Sequence, residues 1–197
     1  MSPESNVPVE ELVDVSMLSA SERAELVALG LLTASGEQAA PRPALVRPRE
    51  TPVPRRSITS PDVLNEAYAY AIPSSFSRGL RVPVGDVELL FISGTASVDD
   101  QGRTVHQGDF RAQCWRTYRN ITALLESQGA TWHDVIRCTC YLRDIERDYR
   151  EFNRVRTAFF RWLHLDPLPA SVGIQARLCR EDLLVEIEGL AILRRTV

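Results

Sequence analysis

The stretch CREDLLVEIEGLAIL, Cys179 to Leu193, holds the residue types best suited to chemistry. Leu, Val and Ile crowd it as in a buried strand, yet two glutamates sit in its middle. Side chains alternate along a strand, so Leu184, Glu186, Glu188 and Leu190 share one face. Leu183, Val185, Ile187, Gly189 and Ala191 share the other, which is wholly apolar and belongs on a core. A carboxyl group among leucines, with a second carboxylate beside it, has its neutral form favoured by desolvation and by like charge. That would poise Glu186 to give and take a proton as a general acid or base. The plainer alternative is a glutamate paired with an arginine across an interface. Cys179, beside Arg180, reads as a packed, pocket-lining thiol or as a thiolate, since a cation lowers thiol pKa. Steric and hydrogen-bonding work suits it better than nucleophilic attack.

Four arginines, Arg78, Arg81, Arg177 and Arg180, are candidates to grip an anionic substrate or, equally, to pair with carboxylates. Arg177 shares alternation with Cys179 and Ser171 if the strand runs that far. Ser171 could donate to a neutral substrate oxygen. SGTAS, Ser93 to Ser97, would supply backbone amides through Gly94, Thr95 and Ala96, and Gly94 permits close approach. The three histidines, His106, His133 and His164, have no spacing that suggests a metal or a triad. GxGxxG, P-loop and HExxH motifs are absent from the sequence. Cys138 and Cys140 form a CxC pair with poor metal spacing and read as small buried hydrophobes, facing the same way as Ile136 and Leu142. We expect no metal and no cofactor.

The elements that must position these residues follow from periodicity. EAYAYAI, RGLRVPV, VELLFIS, VIRCTCYL, ASVGIQARL and LLVEIEGLAIL read as strands, with Gly85-Asp86 as a hairpin turn. Asp109 to Gln128 reads as a helix, with Trp115, Tyr118, Ile121 and Leu125 on one stripe and Gly129 as its stop. Arg147 to His164 reads as a second, striped by Phe152, Val155, Phe159 and Leu163. The fold class is α+β, a six-stranded, mostly antiparallel sheet with two helices on one face. The Glu186 face then looks away from the helices, and its leucines imply that sheets of several chains meet there.

Residues 63–197 form this domain and residues 1–62 an extension. Within the extension, ASERAELVALGLL reads as a short helix from Ala20 to Leu32, capped by Ser19 and Glu22, with Leu26, Val27 and Leu29 as its apolar stripe. A helix this short must dock on something. Six of the twelve prolines fall between Pro41 and Pro61, among Arg42, Arg47, Arg49, Arg55 and Arg56. That piece reads as an extended linker or as an arm that wraps a neighbour. Residues 1–60 offer a route for docking onto another enzyme of a pathway. A net charge of −3 does not suggest nucleic acid as a partner, and no apolar run is long enough to span a membrane. The acidic, polar start is unlike a secretory signal, so reduced thiols and a cytoplasmic home are expected.

Four segments resemble the Rid (YjgF) superfamily in order and spacing: LLFISGTASVDDQGRTVHQGD, AQCWRTYRNITALLESQGATWHDVIRCTCYLRD, FNRVRTAFFRWL and LPASVGIQARLCREDLLVEIEGLA, together about residues 80 to 193. The resemblance implies a homotrimeric barrel with small-molecule sites in clefts between subunits. Deaminating members carry Pro-Ala-Arg at the fifth strand, whose arginine grips a carboxylate; here the place reads Pro169-Ala170-Ser171. Losing that fork removes a full charge. The family glutamate is kept as Glu186, Asn153 matches a position near the site, and Phe76 stands where a tyrosine is common, with Arg78 flanking it. SGTAS, HQGD and CREDLLVEIEG are also similar to the C-terminal half of chorismatases, which hydrolyse the enol ether of chorismate. There the cysteine and the glutamate seven places on line the pocket, matching Cys179 and Glu186. The expectation is a cofactor-free hydrolase or lyase of a small unsaturated metabolite in a biosynthetic pathway. Its alternatives are an imine or enamine deaminase with a relocated arginine, and a non-catalytic binding protein.

Overall fold

A computed structural model describes Ser16 and residues 18–28, 32–37 and 53–195. The chain divides into two units, Met1–Pro52 and Val53–Val197. In the first, α1 (Ala20–Ala28) begins at the expected capping box: Ser19 N–H donates to Glu22 Oε2 (2.8 Å) and Glu22 N–H to Ser19 Oγ (3.2 Å). The hydroxyl bond holds the Glu22 carboxyl below its usual range. Leu29 and the linker arginines Arg42, Arg47 and Arg49 lie outside the described residues.

The second unit begins at Val53 and carries β1 (Arg56–Ser57), β2 (Gly79–Val84), β3 (Val87–Ala96), α2 (Phe110–Glu126), β4 (Val135–Leu142), α3 (Ile145–Trp162), β5 (Ala170–Gln175) and β6 (Val185–Arg194). The strands form one sheet in the order β1-β2-β3-β6-β4-β5. Every neighbouring pair is antiparallel except β4 and β5, which α3 joins as a crossover. Val84 pairs with Val87 across the two-residue turn, where Gly85 takes φ +61°. Asp109 and Asp144 cap the helices, accepting from the N–H groups of Ala112 and Arg147.

The apolar face of β6 packs under these helices, with Val185, Ile187 and Ala191 almost wholly buried. Burial of side chains this size is worth about 1.5–3 kcal/mol each. Tyr118, Leu124, Leu125, Leu142 and Phe152 complete the same core. It includes an aromatic knot in which Tyr118 stacks on Phe159 (centroids 4.5 Å apart) and Trp132 meets Phe159 edge-on.

Three expectations need correction. EAYAYAI is not a strand. It forms a 3₁₀ turn at Ala67–Ala69, because the free edge of β2 is already taken by Arg56–Ser57. The turn buries Ala67 and leaves Tyr68 and Ile72 outside. Ile136 does not share the face of Cys138 and Leu142. A bulge between Val135 and Arg137 shifts the register, burying Val135 and turning Ile136 outward. The strand ASVGIQARL ends at Gln175, so Arg177 does not alternate with Ser171, and Cys179 lies in the loop before β6 rather than at a strand start.

Candidate functional site

The face of the sheet away from the helices presents Glu186, Glu188 and Leu190 of β6. Their partners on β4 are Tyr141, Thr139 and Arg137, and on β3 Ala96 opposes Glu186 and Phe91 opposes Leu190. A pocket of about 320 Å³ opens on this face between Phe91, Ser93, Arg137, Thr139, Glu188 and Leu190. Between Ile92 and Thr95 the β3 ladder slips by a bulge. That irregularity brings the Gly94 backbone against the Glu186 carboxylate, which occupies the place a Cβ would take.

Glu186 is half-buried, and burial first, then the neighbouring Glu188 charge, pushes its carboxyl above the usual range. Glu188 instead accepts a hydrogen bond from Tyr141 Oη (3.1 Å). Desolvation first, then that bond and the two carboxylate charges, raises the Tyr141 phenol, so it stays a donor at neutral pH. Burial thus favours the neutral form of Glu186 beside a Glu188 that Tyr141 holds, which suits Glu186 to general-acid work.

The other sequence candidates do not all join this face. Ser171 lies on the helix side of β5, where its Oγ accepts from Arg156 Nη1 (3.0 Å) and lies 3.8 Å from Cys140 Sγ. Asn153, on α3, touches the same guanidinium through Oδ1. Glu186 with Gly94, and Ser171 with Asn153, therefore form two clusters on opposite faces of one chain. Thr95 turns inward and is buried, its hydroxyl donating to Ser93 O (2.8 Å). The Ala96 carbonyl is taken by Asn120 Nδ2 (3.0 Å).

The four candidate arginines are placed as follows. Arg78 is buried between the rings of Tyr70 and Phe76 (4.9 and 5.3 Å to the centroids), bonded to Tyr70 Oη and to Asn65 O. Arg81 holds Glu88 and Gln128 O. Arg180 reaches Gly102 O, turned away from the neighbouring Cys179. Arg177 is exposed beyond β5. Tyr141, Thr139 and Arg137 were missed, although alternation along VIRCTCYL places them together; Arg156 was missed because its meeting with Ser171 is made only by the packing of α3 on β5.

A larger cavity, about 430 Å³, lies between α2 and α3 against Trp115, Tyr118, Phe159 and Trp162; it is mainly apolar and remote from Glu186. Among the described residues no group of three or more His, Cys, Asp or Glu side chains is placed to hold a metal ion. All four cysteines are free; burial raises the thiols of Cys114, Cys138 and Cys140, Cys138 to about 12, while Cys179 is exposed. No described helix is long and apolar enough to cross a membrane.

The family model described as endoribonuclease L-PSP matches residues 71–193. The chain belongs to this L-PSP family, which is the Rid/YjgF group. A RutC family protein of Pyrococcus abyssi is 31% identical over 59% of this chain and 84% of its own. Protein DfrA of Myxococcus xanthus is 30% identical over 59% and 84%. Among solved structures, RidA from an Antarctic Psychrobacter species is 25% identical over 70% of this chain and 99% of its own, with a TM-score of 0.55. The YjgF product of Escherichia coli, 24% identical over 71% and 99%, has a TM-score of 0.56 and shares the fold.

Proposed function

We propose that this L-PSP family member is a cofactor-free enzyme that adds water to a small unsaturated metabolite, with Glu186 as its general acid and base. The observation that carries this is the half-buried Glu186 carboxyl, raised by desolvation and seated against the glycine bulge of β3. In a chorismatase-like reaction, the Glu186 proton goes to the vinyl CH₂ carbon. Water then adds to the resulting oxocarbenium carbon and returns a proton to the carboxylate. The hemiketal collapses to pyruvate and a ring alcohol, with one water consumed in all. The proposal places the protein in the cytoplasm, in a biosynthetic pathway, with a small-molecule substrate and neither nucleic acid nor membrane as partner. Two carboxylates on the working face repel a phosphate backbone, which argues against RNA despite the family's description.

A homotrimer belongs to this reading. The outward face exposes Phe91, Val172 and Ile174, each about 40% accessible, which need covering. Only a neighbouring chain can bring a Ser171 cluster to a Glu186 cluster. Imine or enamine hydrolysis is the second reading, favoured because an arginine, Arg156, still stands at Ser171. The same proton and water would release ammonia. The extension would dock partners of the pathway through residues 1–60.

The test is turnover of chorismate, followed as pyruvate, and of a 2-imino acid, followed as ammonia. Glu186→Gln and Gly94→Ala, whose new methyl displaces the carboxylate, serve as controls. Release of either product that falls about 100-fold or more in both variants is expected. Release unaffected by Glu186→Gln sinks the role.

A further inference from the structure

The apolar groove of about 430 Å³ between α2 and α3 is lined by Arg119, Thr122, Ala123 and Glu126 of α2, with Trp162 at the end of α3. Trp162 is 79% accessible and Trp115, on the same groove, 39%. Indole rings left this open are the side chains that most often anchor an interface. The polar atom at the groove's centre is already satisfied: Thr122 Oγ1 donates to Tyr118 O (2.8 Å) and accepts from Trp132 Nε1 (2.8 Å). A covering surface therefore strands no hydroxyl there.

Two charges flank this centre. Arg119 and Glu126 are exposed, and neither forms an ion pair among the described residues, whereas Arg111 and Arg154 both hold Glu151. Seven positions of α2 separate them, about 10 Å along the axis, too far for the two to meet each other. Midway between them stand Thr122 and Ala123, the smallest side chains of the groove. Opposite charges set evenly about a small-residue centre complement themselves when a second copy is turned by a half rotation.

We infer that the α2–α3 groove is a two-fold interface with a second copy of this chain. The α2 helices of the two copies lie antiparallel, and Thr122 and Ala123 let them approach closely. Arg119 meets Glu126 of the partner subunit, and Glu126 meets the partner's Arg119. Trp162 of each copy fills the groove of the other. The groove also has the size of a small-ligand site. A second copy is favoured because a small ligand uses neither the even spacing of the two charges nor the outward Trp162. The helices and the Glu186 face lie on opposite sides of the sheet, so this contact is independent of the reaction and of the trimer proposed above.

The test is sedimentation equilibrium of the full-length protein for wild type, Arg119→Glu, Glu126→Arg and the double exchange Arg119→Glu/Glu126→Arg. Each single reversal sets like charges together at both ends of a two-fold contact, and the double exchange restores both pairs. Wild type is expected to hold an even number of chains. Each single variant should weaken association about tenfold or more and fall to about half the wild-type mass, with unchanged far-ultraviolet circular dichroism. The double variant should regain that mass. Wild-type mass kept by both single variants overturns the inference and leaves the groove to a small apolar ligand or to another protein. So does an odd number of chains in wild type, or a double variant no larger than the singles. Repeating the series in Ile174→Asp keeps the two faces apart: if the trimer fails, the step between monomer and dimer still reports this contact alone.

Discussion

Glu186 and Glu188 are two residues apart on one strand face and yet sit in different surroundings. Tyr141 gives its hydroxyl to Glu188, and nothing comparable among the hydrogen bonds described reaches Glu186. Folding lifts the Glu186 carboxyl above its ordinary value of 4.5, so the folded chain holds that proton to higher pH than the unfolded chain does. The stabilisation from this linkage is fully present below 4.5 and is lost as pH rises through the raised folded value. Glu186→Gln carries no such loss. Its urea midpoint should gain on wild type as pH is taken from 4.5 to 7 and level off above the folded value. Parallel profiles would mean that the carboxyl titrates normally.

At the scale of elements, β4 shows how one irregularity divides neighbouring apolar residues. Leu142 is fully buried beneath the helices, and Ile136, beyond the bulge, is turned outward. Leu142→Ala should cost about 2–5 kcal/mol in denaturant unfolding. Ile136→Ala should cost about 1 kcal/mol or less. Similar losses would place Ile136 in the core after all. The two helices, the β2–β3 hairpin and the two-faced β6 were legible in the sequence because each is written in local periodicity. EAYAYAI was not, since alternation of Ala and Tyr cannot show that Arg56–Ser57 already fills the sheet edge. Of the site, Glu186 was legible from its two leucine neighbours. Arg156 was hidden because nothing local says that α3 lays it on β5.

For the whole molecule, the outward face is the one that the proposed trimer would cover. Val172 and Ile174 of β5 flank Tyr141 and Thr139 through the parallel β4 register, and their accessibility in one chain marks a surface to be covered. If the proposed trimer forms through this face, Ile174→Asp should shift sedimentation towards the monomer while leaving the far-ultraviolet circular dichroism unchanged. A variant that sediments as wild type would separate this face from assembly.

The contact between Arg156 and Ser171 also constrains what residue 171 can become. An arginine placed at 171 would set a second guanidinium within bonding reach of the first, which makes no ion pair among the described residues. The two positions are therefore linked: a Ser171→Arg substitution adds a cation beside one already held there. Only a second substitution that removes the charge of Arg156 would relieve that crowding.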